Sequence, residues 1–299
     1  MKFRCFTMLL LVLILPLLAV SAYADAVVLA SAATYAVLGA TGVTNTNTTT
    51  ITGGNVGSFP NNSLIGTGGC PAAGCINFTF GMDVTATNTN QTDLAAAING
   101  LSGLSSFNLS PTSFLSGNLK FNPGVYSTGT TFIQPSGTTL TLNAGNLTGN
   151  VDFIFLVGSA LTMNVGSSVV LTNVNPLANI GVYWVEQGLG GTLGDATLNG
   201  STFVGNVLAD NAITMGSAVT ITCGSALAND ANVTMIGDTI TTGCNASPFI
   251  NSEGEVSGGP GRGTPPVPSP EPATLLLLGT GIAGLLGKAR MRLARAHRA

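Results

Sequence analysis

Apolar and small polar residues alternate in several short stretches of this chain, and the stretches repeat. Residues 208–209 (Leu-Ala) recur at 227–228, and residues 221–222 (Ile-Thr) recur at 240–241, each 19 residues later. An earlier copy of the pattern spans residues 159–172. A repeat of about this length is too short for a domain but fits one coil of a β-solenoid, in which three short strands are separated by turns.

The alternation assigns the side chains of each copy to two sides of a strand. The inward set is Leu161, Met163, Ile213, Met215, Val233 and Met235; the outward set is Ala160, Thr162, Ala212, Thr214 and Thr234. Stacked coils would place outward residues in ranks roughly 4.8 Å apart, with i and i+2 roughly 6.7 Å apart along each strand. A β-sandwich with similar strands is the alternative.

One segment has a helical pattern instead. Within residues 88–104, Leu94, Ile98 and Leu101 recur at i, i+4 and i+7, as in an amphipathic helix. We expect this helix to lie along one side of the solenoid and cover it. Residues 41–52 predict a strand, a turn and a strand. Residues 152–157 and 181–185 are the most apolar, so we expect central strands there, with Trp184 packed in the core rather than stacked on a sugar.

Both ends of the chain differ from the middle. Lys2 and Arg4, an apolar run and Ala22-Tyr23-Ala24 form the three parts of a secretory signal, with cleavage after Ala24. We place the solenoid at residues 25–248 and a Gly/Pro-rich linker at 249–269. Residues 270–299 then contain an apolar run, 273–287, and a basic tail. The run is short for a ~30 Å hydrocarbon core, and the tail predicts an inside orientation for that end.

The charge of the middle region excludes most chemistry. Residues 25–247 contain one lysine, no arginine, no histidine, eight aspartates and one glutamate, a net charge of −8. Without histidine, neither a Ser-His-Asp nor a Cys-His centre forms, and without basic residues there is no groove for nucleic acid. A two-carboxylate hydrolase using Glu186 and one aspartate is the remaining enzymatic alternative. We predict a protein that is not an enzyme and holds no metal or cofactor.

Four cysteines remain after the signal, and in an exported protein they predict disulfides. Three pairings are possible. We favour Cys70–Cys75 as a staple within a loop and Cys223–Cys244 as a clasp between neighbouring coils, because 21 residues is nearly one coil and places the two α-carbons within disulfide reach. A zinc site made from all four cysteines is the alternative.

The end of the chain resembles the bacterial PEP-CTERM sorting signal. Pro270-Glu271-Pro272, an apolar stretch and an Arg-rich terminus follow one another in that order. The resemblance implies export from a Gram-negative cell through the periplasm, by signal peptidase and then an exosortase, with the C-terminal segment transiently in the inner membrane. The product would be secreted or held at the cell surface, and such proteins are associated with exopolysaccharide.

Residues 27–242 resemble the bacterial and fungal ice-binding protein family. The resemblance lies in residues 32–38 (AATYAVL), 123–126 (PGVY), 182–184 (VYW) and the repeats that contain residues 205–209 and 226–228. It implies a mainly β fold, an irregular three-sided β-solenoid with one α-helix packed alongside. It also implies adsorption to ice through a flat face bearing motifs of the type Thr-Ala/Gly-x-Thr/Asn.

The equivalent stretches give the predicted face. Its residues are Ser159, Ala160, Thr162, Asn211, Ala212, Thr214, Asp230 and Thr234. The leading threonine is missing from each motif, and Asp230 would put a charge on or beside the surface. A reserve face contains Thr172, Ala218, Thr220, Thr222, Thr239 and Thr241. We therefore predict a secreted, non-enzymatic ice-binding-like protein. The alternative is a structural or adhesive matrix protein, associated with exopolysaccharide, that uses the same scaffold without ice activity.

Overall fold

The chain winds into coils that each contribute one strand to a sheet, and the strands of neighbouring coils pair in parallel. The structure is a computed structural model and describes residues 29–243 except 69, 71–73, 110–117, 189–193 and 201. Within those residues the strands form three sheets, here named A, B and C.

The strands follow one another along the chain in the repeating order A, B, C. A short 3-10 helix, Ala30–Thr34, precedes the first coil. The first two coils are β1 (Tyr35–Gly39), β2 (Gly42–Thr46), β3 (Thr49–Thr52), β4 (Asn55–Ser58), β5 (Leu64–Ile65) and β6 (Ile76–Thr79), and helix α1 (Asn88–Ser102) follows. Next come β7 (Phe107–Asn108) in sheet A, β8 (Leu119–Phe121) in sheet C, β9 (Gly124–Thr128), β10 (Phe132–Gln134) and β11 (Thr139–Asn143). The remaining strands are β12 (Gly149–Val157), β13 (Ala160–Met163), β14 (Ser168–Thr172), β15 (Ala178–Glu186), β16 (Asp195–Leu198), β17 (Thr202–Val204), β18 (Asn206–Ala209), β19 (Ile213–Ser217), β20 (Thr220–Thr222), β21 (Ala226–Ala228), β22 (Asn232–Ile236) and β23 (Thr239–Thr241).

The predicted solenoid is confirmed, and the β-sandwich alternative is wrong because the sheets are parallel and stacked coil upon coil. The six side chains predicted to point inward are all 0–1 % exposed. Residues 41–52 form β2, a turn and β3, as predicted.

The order of the coils in space is not their order along the chain. Sheet A runs β4-β1-β21-β18-β15-β12-β9-β7. The last coil therefore stacks on the first, with Leu227 in register with Leu38 on one side and Leu208 on the other. Helix α1 lies between the second coil and β7 in the sequence, so it connects one end of sheet A to the other. The sequence repeat predicted that coils stack but not that the stack closes in this way.

Aromatic rings fill the middle of the solenoid. Trp184 is 0 % exposed and stacks on Phe155 with ring centroids 4.1 Å apart. Its Nε1–H donates a hydrogen bond to the carbonyl of Val204 at 3.0 Å. Both the ring and its polar group are thus used inside the protein, which confirms the predicted core role of Trp184 and excludes sugar stacking.

Helix α1 covers the outer side of sheet A. Thr87 caps its first turn: the hydroxyl accepts from the backbone N–H of Asn90, whose side chain accepts from the backbone N–H of Thr87. Leu94, Ile98 and Leu101 are buried against sheet A. Sheet A is therefore apolar on both sides, which explains the continuous apolar runs in β12 and β15. The helix ends at Ser102, two residues before the predicted end.

The outer sides of sheets B and C are the ones that α1 leaves uncovered, and their outward residues are partly or fully exposed. Among the residues described above, no helix has the length and hydropathy needed to cross a membrane. Cys70 and Cys75 form a disulfide, so a zinc site made from all four cysteines is wrong. Cys223 is disulfide-bonded as well; Cys244, its predicted partner, lies outside the described residues.

A buried polar network fastens the last coil to the first at the corner between sheets B and C. The carboxylate of Asp238 accepts hydrogen bonds from the backbone N–H groups of Val219 and Ile236, both at 2.8 Å. The Asp238 N–H donates to Thr49 Oγ1 at 3.0 Å, and Thr49 donates to Asn45 Oδ1 at 2.7 Å. Burial raises the pKa of Asp238 to about 6. The network links three successive coils.

Leu227→Ala tests the closure of the stack. We expect the variant to lower the free energy of unfolding by about 2–5 kcal/mol, because it leaves a cavity between the first coil, its neighbour and α1. Leu147→Ala is the control: that side chain is 50 % exposed, so its removal should cost less than about 0.5 kcal/mol. Denaturant unfolding measures both, and equal small losses would contradict the closure.

Candidate functional site

A single rank of threonines runs across the outer side of sheet B. Each of five neighbouring coils contributes one threonine, and the strand register places these residues side by side. The rank, hereafter the sheet B rank, is Thr162, Thr197, Thr214, Thr234 and Thr44, in that order. Ile133 precedes it and Ile65 follows it.

The alternation of each strand fixes the direction of these side chains. Ile213 and Met215 are 0 % exposed, so Thr214 between them points outward and is exposed. Val233 and Met235 hold Thr234 in the same way. Adjacent coils repeat at about 4.8 Å, so the rank presents a methyl group and a hydroxyl at each repeat. β-Branched residues also suit an exposed strand.

The rank has a mixed border toward the corner between sheets A and B. Ala160 is in register with Asp195 of the next coil. Asp195 is partly buried, and its Oδ1 accepts hydrogen bonds from Asn211 Nδ2 at 2.8 Å and from the Ala212 N–H at 3.1 Å. The carboxylate is thus tied to the following coil instead of standing free on the face.

Three of the predicted face residues lie in the corner turns and not on the sheet. Ser159, Asn211 and Asp230 all fall between the strands of sheet A and those of sheet B. Asp230 is exposed, and burial together with the nearby Asp210 carboxylate raises its pKa. The predicted charge therefore sits beside the threonine rank, because the motif begins one or more residues before the strand does.

Two members of the rank were missed by the sequence analysis. Thr44 and Thr197 each follow a buried apolar residue, Val43 and Ala196 respectively. The three-residue pattern of apolar residue, threonine and apolar residue at 196–198, 213–215 and 233–235 would have found Thr197. Thr44 is harder to predict, because Asn45 replaces the second apolar residue and because its coil lies nearly 190 residues away in sequence.

The reserve residues belong to sheet C and its borders. Thr220 and Thr222 are in register with Thr239 and Thr241. Thr172 ends β14 beside Asn143. Ala218 lies in the turn before β20, with a φ of 60°, so it is not part of the sheet. The geometry thus separates four threonines that share one face from two residues at its edges.

Glu186 does not provide an accessible acid. It is 0 % exposed, and neither carboxylate oxygen has a hydrogen-bond partner. Burial raises the pKa of Glu186 well above its ordinary value, and the Asp195 carboxylate raises it further. A glycosidase acid must reach the glycosidic oxygen, which this side chain cannot do from inside the solenoid. Among the described residues, no three His, Cys, Asp or Glu side chains come together as metal ligands.

This architecture defines a surface-binding solenoid: one side covered by a helix and an uncharged rank of threonines on an open sheet. Residues 37–241 match the family described as ice-binding-like. The chain is 34% identical over 265 residues to an ice-binding protein of Nostoc sp. (strain HG1), which covers 88% of this chain and 87% of that protein. The chain belongs to the ice-binding-like family.

Solved structures show the same fold. An ice-binding protein from an Antarctic biological consortium has 28% sequence identity and a TM-score of 0.56, covering 71% of this chain and 89% of that one. The ice-binding protein of the Antarctic ascomycete Antarctomyces psychrotrophicus has 25% identity and a TM-score of 0.56, covering 71% and 96%. Residues 270–292 match the PEP-CTERM protein-sorting motif, which implies export to the surface or the medium.

Glu186→Gln tests the buried carboxyl group. In the folded protein the pKa of Glu186 lies above its ordinary value of 4.5, so the folded state keeps its proton where the unfolded state has lost it. The contribution of Glu186 to stability should therefore fall as the pH rises above about 4.5. We expect the variant to be more stable than the parent at pH 8 and to lose that advantage toward pH 4. Thermal unfolding across this range measures the difference; parallel curves would contradict it.

Proposed function

We propose that the protein is a non-enzymatic ice-binding protein that adsorbs ice through the outer side of sheet B. The observation that carries the proposal is the sheet B rank: five threonines in register, on an open sheet of a chain that belongs to the ice-binding-like family.

The chemistry of the rank suits a surface that orders water. Threonine methyl groups are apolar and small, so water beside them keeps its hydrogen bonds to other water molecules. The hydroxyls, repeated at about 4.8 Å from coil to coil, bind such water at regular intervals. Charged groups would hold hydration shells of their own, and the nearest carboxylate, that of Asp195, is bonded to Asn211 and Ala212.

Thr214→Tyr tests the face at its centre. We expect the parent protein to shape growing ice crystals and slow their recrystallisation, and the variant to lose part of both activities, because a large ring lifts the sheet from the ice. The control is Ala96→Tyr, on the exposed side of α1. Activity is measured on protein whose fold is checked by circular dichroism. A folded parent protein with no effect on ice would contradict the proposal.

The structural or adhesive alternative predicts a different result in the same experiments. A matrix protein would be retained by exopolysaccharide or by the cell surface and would leave ice growth unchanged. Family membership and the sheet B rank support ice adsorption as the first function to test.

We further propose the processing of the two ends. Signal peptidase would remove residues 1–24, and residues 25–248 would form the exported domain with 249–269 as linker. In a Gram-negative cell the chain would pass through the periplasm, its apolar segment 273–287 would enter the inner membrane transiently, and an exosortase would recognise the motif. The match at 270–292 supports this order of events, and exopolysaccharide is a partner to test after export.

Replacing Pro270, Glu271 and Pro272 by alanine tests the sorting step. We expect unprocessed protein of higher mass to accumulate in the membrane fraction, since the motif that the exosortase recognises is gone. Pro265→Ala, in the linker, is the control. Immunoblots of cell fractions measure both, and normal processing of the triple variant would contradict the assignment.

A further inference from the structure

We propose that the outer side of sheet C is a second ice-adsorbing face, so that one molecule adsorbs to ice planes of two orientations. This inference rests on the proposed function, because it assigns the same ligand to a second surface. It depends on three observations: the register of sheet C, the chemistry of its outward residues, and the placement of charge around it.

The register of sheet C produces two parallel ranks of hydroxyls where sheet B has one. The first rank crosses six coils and the second crosses four, and each pair of neighbours is in register. The first rank is Thr50, Thr239, Thr220, Thr202, Ser168 and Thr139; the second is Thr79, Thr52, Thr241 and Thr222. In the three coils that share both ranks, the hydroxyls form an array about 4.8 Å by 6.7 Å.

Buried isoleucines fix the direction of this array. The sequence Thr-Ile-Thr occurs at residues 50–52, 220–222 and 239–241. Ile51, Ile221 and Ile240 are each 0 % exposed and are in register with one another. A slip of one residue would bury two threonines and expose the isoleucine, so the core holds both ranks on the outer side.

Strand formation alone does not require hydroxyls at these positions. Valine is at least as good a strand former, and Val204 stands beside Thr222 where the second rank ends. The asparagines Asn122, Asn143 and Asn173, near the corner between sheets C and A, bond to one another. By contrast, no hydrogen bond joins the hydroxyls of Thr50, Thr220 and Thr239 to the described part of the protein. They are left to bind water.

The corner between sheets B and C carries no exposed charge among the described residues. Its one ionisable group, Asp238, is 1 % exposed and spends its carboxylate on two backbone N–H groups. The exposed or partly exposed carboxylates Asp195, Asp210 and Asp230 lie instead at the corner between sheets A and B. Lys120 is on β8, at the far end of sheet C. The two threonine faces therefore meet at an uncharged edge.

Two faces of a three-sided solenoid point in different directions, so they cannot lie on the same flat ice plane. Each face would select the planes that match its own spacing. The sheet B rank offers a single line of hydroxyls, and the sheet C array offers a two-dimensional repeat. Adsorption would therefore cover more planes than either face reaches alone.

The test compares the mature protein with variants that block one face at a time. Thr214→Tyr with Thr234→Tyr blocks sheet B, and Thr222→Tyr with Thr241→Tyr blocks sheet C; Ala96→Tyr on α1 is the control. Each protein, fluorescently labelled and shown to be folded by its melting curve, is adsorbed to an oriented single-crystal ice hemisphere. The labelled planes are then mapped.

We expect the parent and the control to label two sets of planes, each single-face variant to lose one set, and the combined variant to lose both. If blocking sheet B abolishes all labelling while blocking sheet C changes nothing, the second face is wrong and the proposed function stands. If the folded parent protein labels no plane, the proposed function itself fails. Loss of every plane in each variant would also contradict two separate faces.

Discussion

In-register stacking of parallel strands is the constraint on which the rest of this protein depends. Backbone hydrogen bonds between coils set a repeat of about 4.8 Å, and side chains alternate between the two sides of each strand. Because the interior is filled by residues such as Ile213, Val233 and Trp184, each strand has only one acceptable register. The outward residues are then aligned without needing contacts of their own. Surface order is a result of core order.

The sequence analysis predicted this architecture because its evidence is local. Period-two alternation identified Leu161, Met163, Ile213 and Met215 as inward, and the spacing of Leu94, Ile98 and Leu101 identified the helix. The family resemblance supplied the three-sided form. These signals survive because each coil or helical turn carries them within a few residues.

The sequence could not show where the ends of the stack meet. That Leu38 neighbours Leu227 is a long-range fact with no trace in the spacing of either repeat. For the same reason Thr44 was missed as a member of the sheet B rank. The boundary between turn and strand was also misjudged, since Ser159, Asn211 and Asp230 resemble the first position of a motif but lie in the corners. A linear pattern gives the period of a coil but not where its corners fall.

The distribution of charge follows from the same winding. With one lysine in the whole middle region, carboxylates have few cationic partners, and they are either placed at corners or bonded to backbone N–H groups as in Asp238. Glu186 is the exception, a buried acid without a hydrogen-bond partner. Its burial costs stability, and nothing in the described structure explains why it is kept.

The closure of the last coil on the first has a consequence for biogenesis. Strands β1 to β3 gain their second neighbours only from residues 226–241, so a growing chain carries an open sheet edge until most of it has been synthesised. Contacts of such sequence separation form slowly. A chain that delays its own completion stays threadable, which is the state that a protein bound for a narrow translocation pore requires.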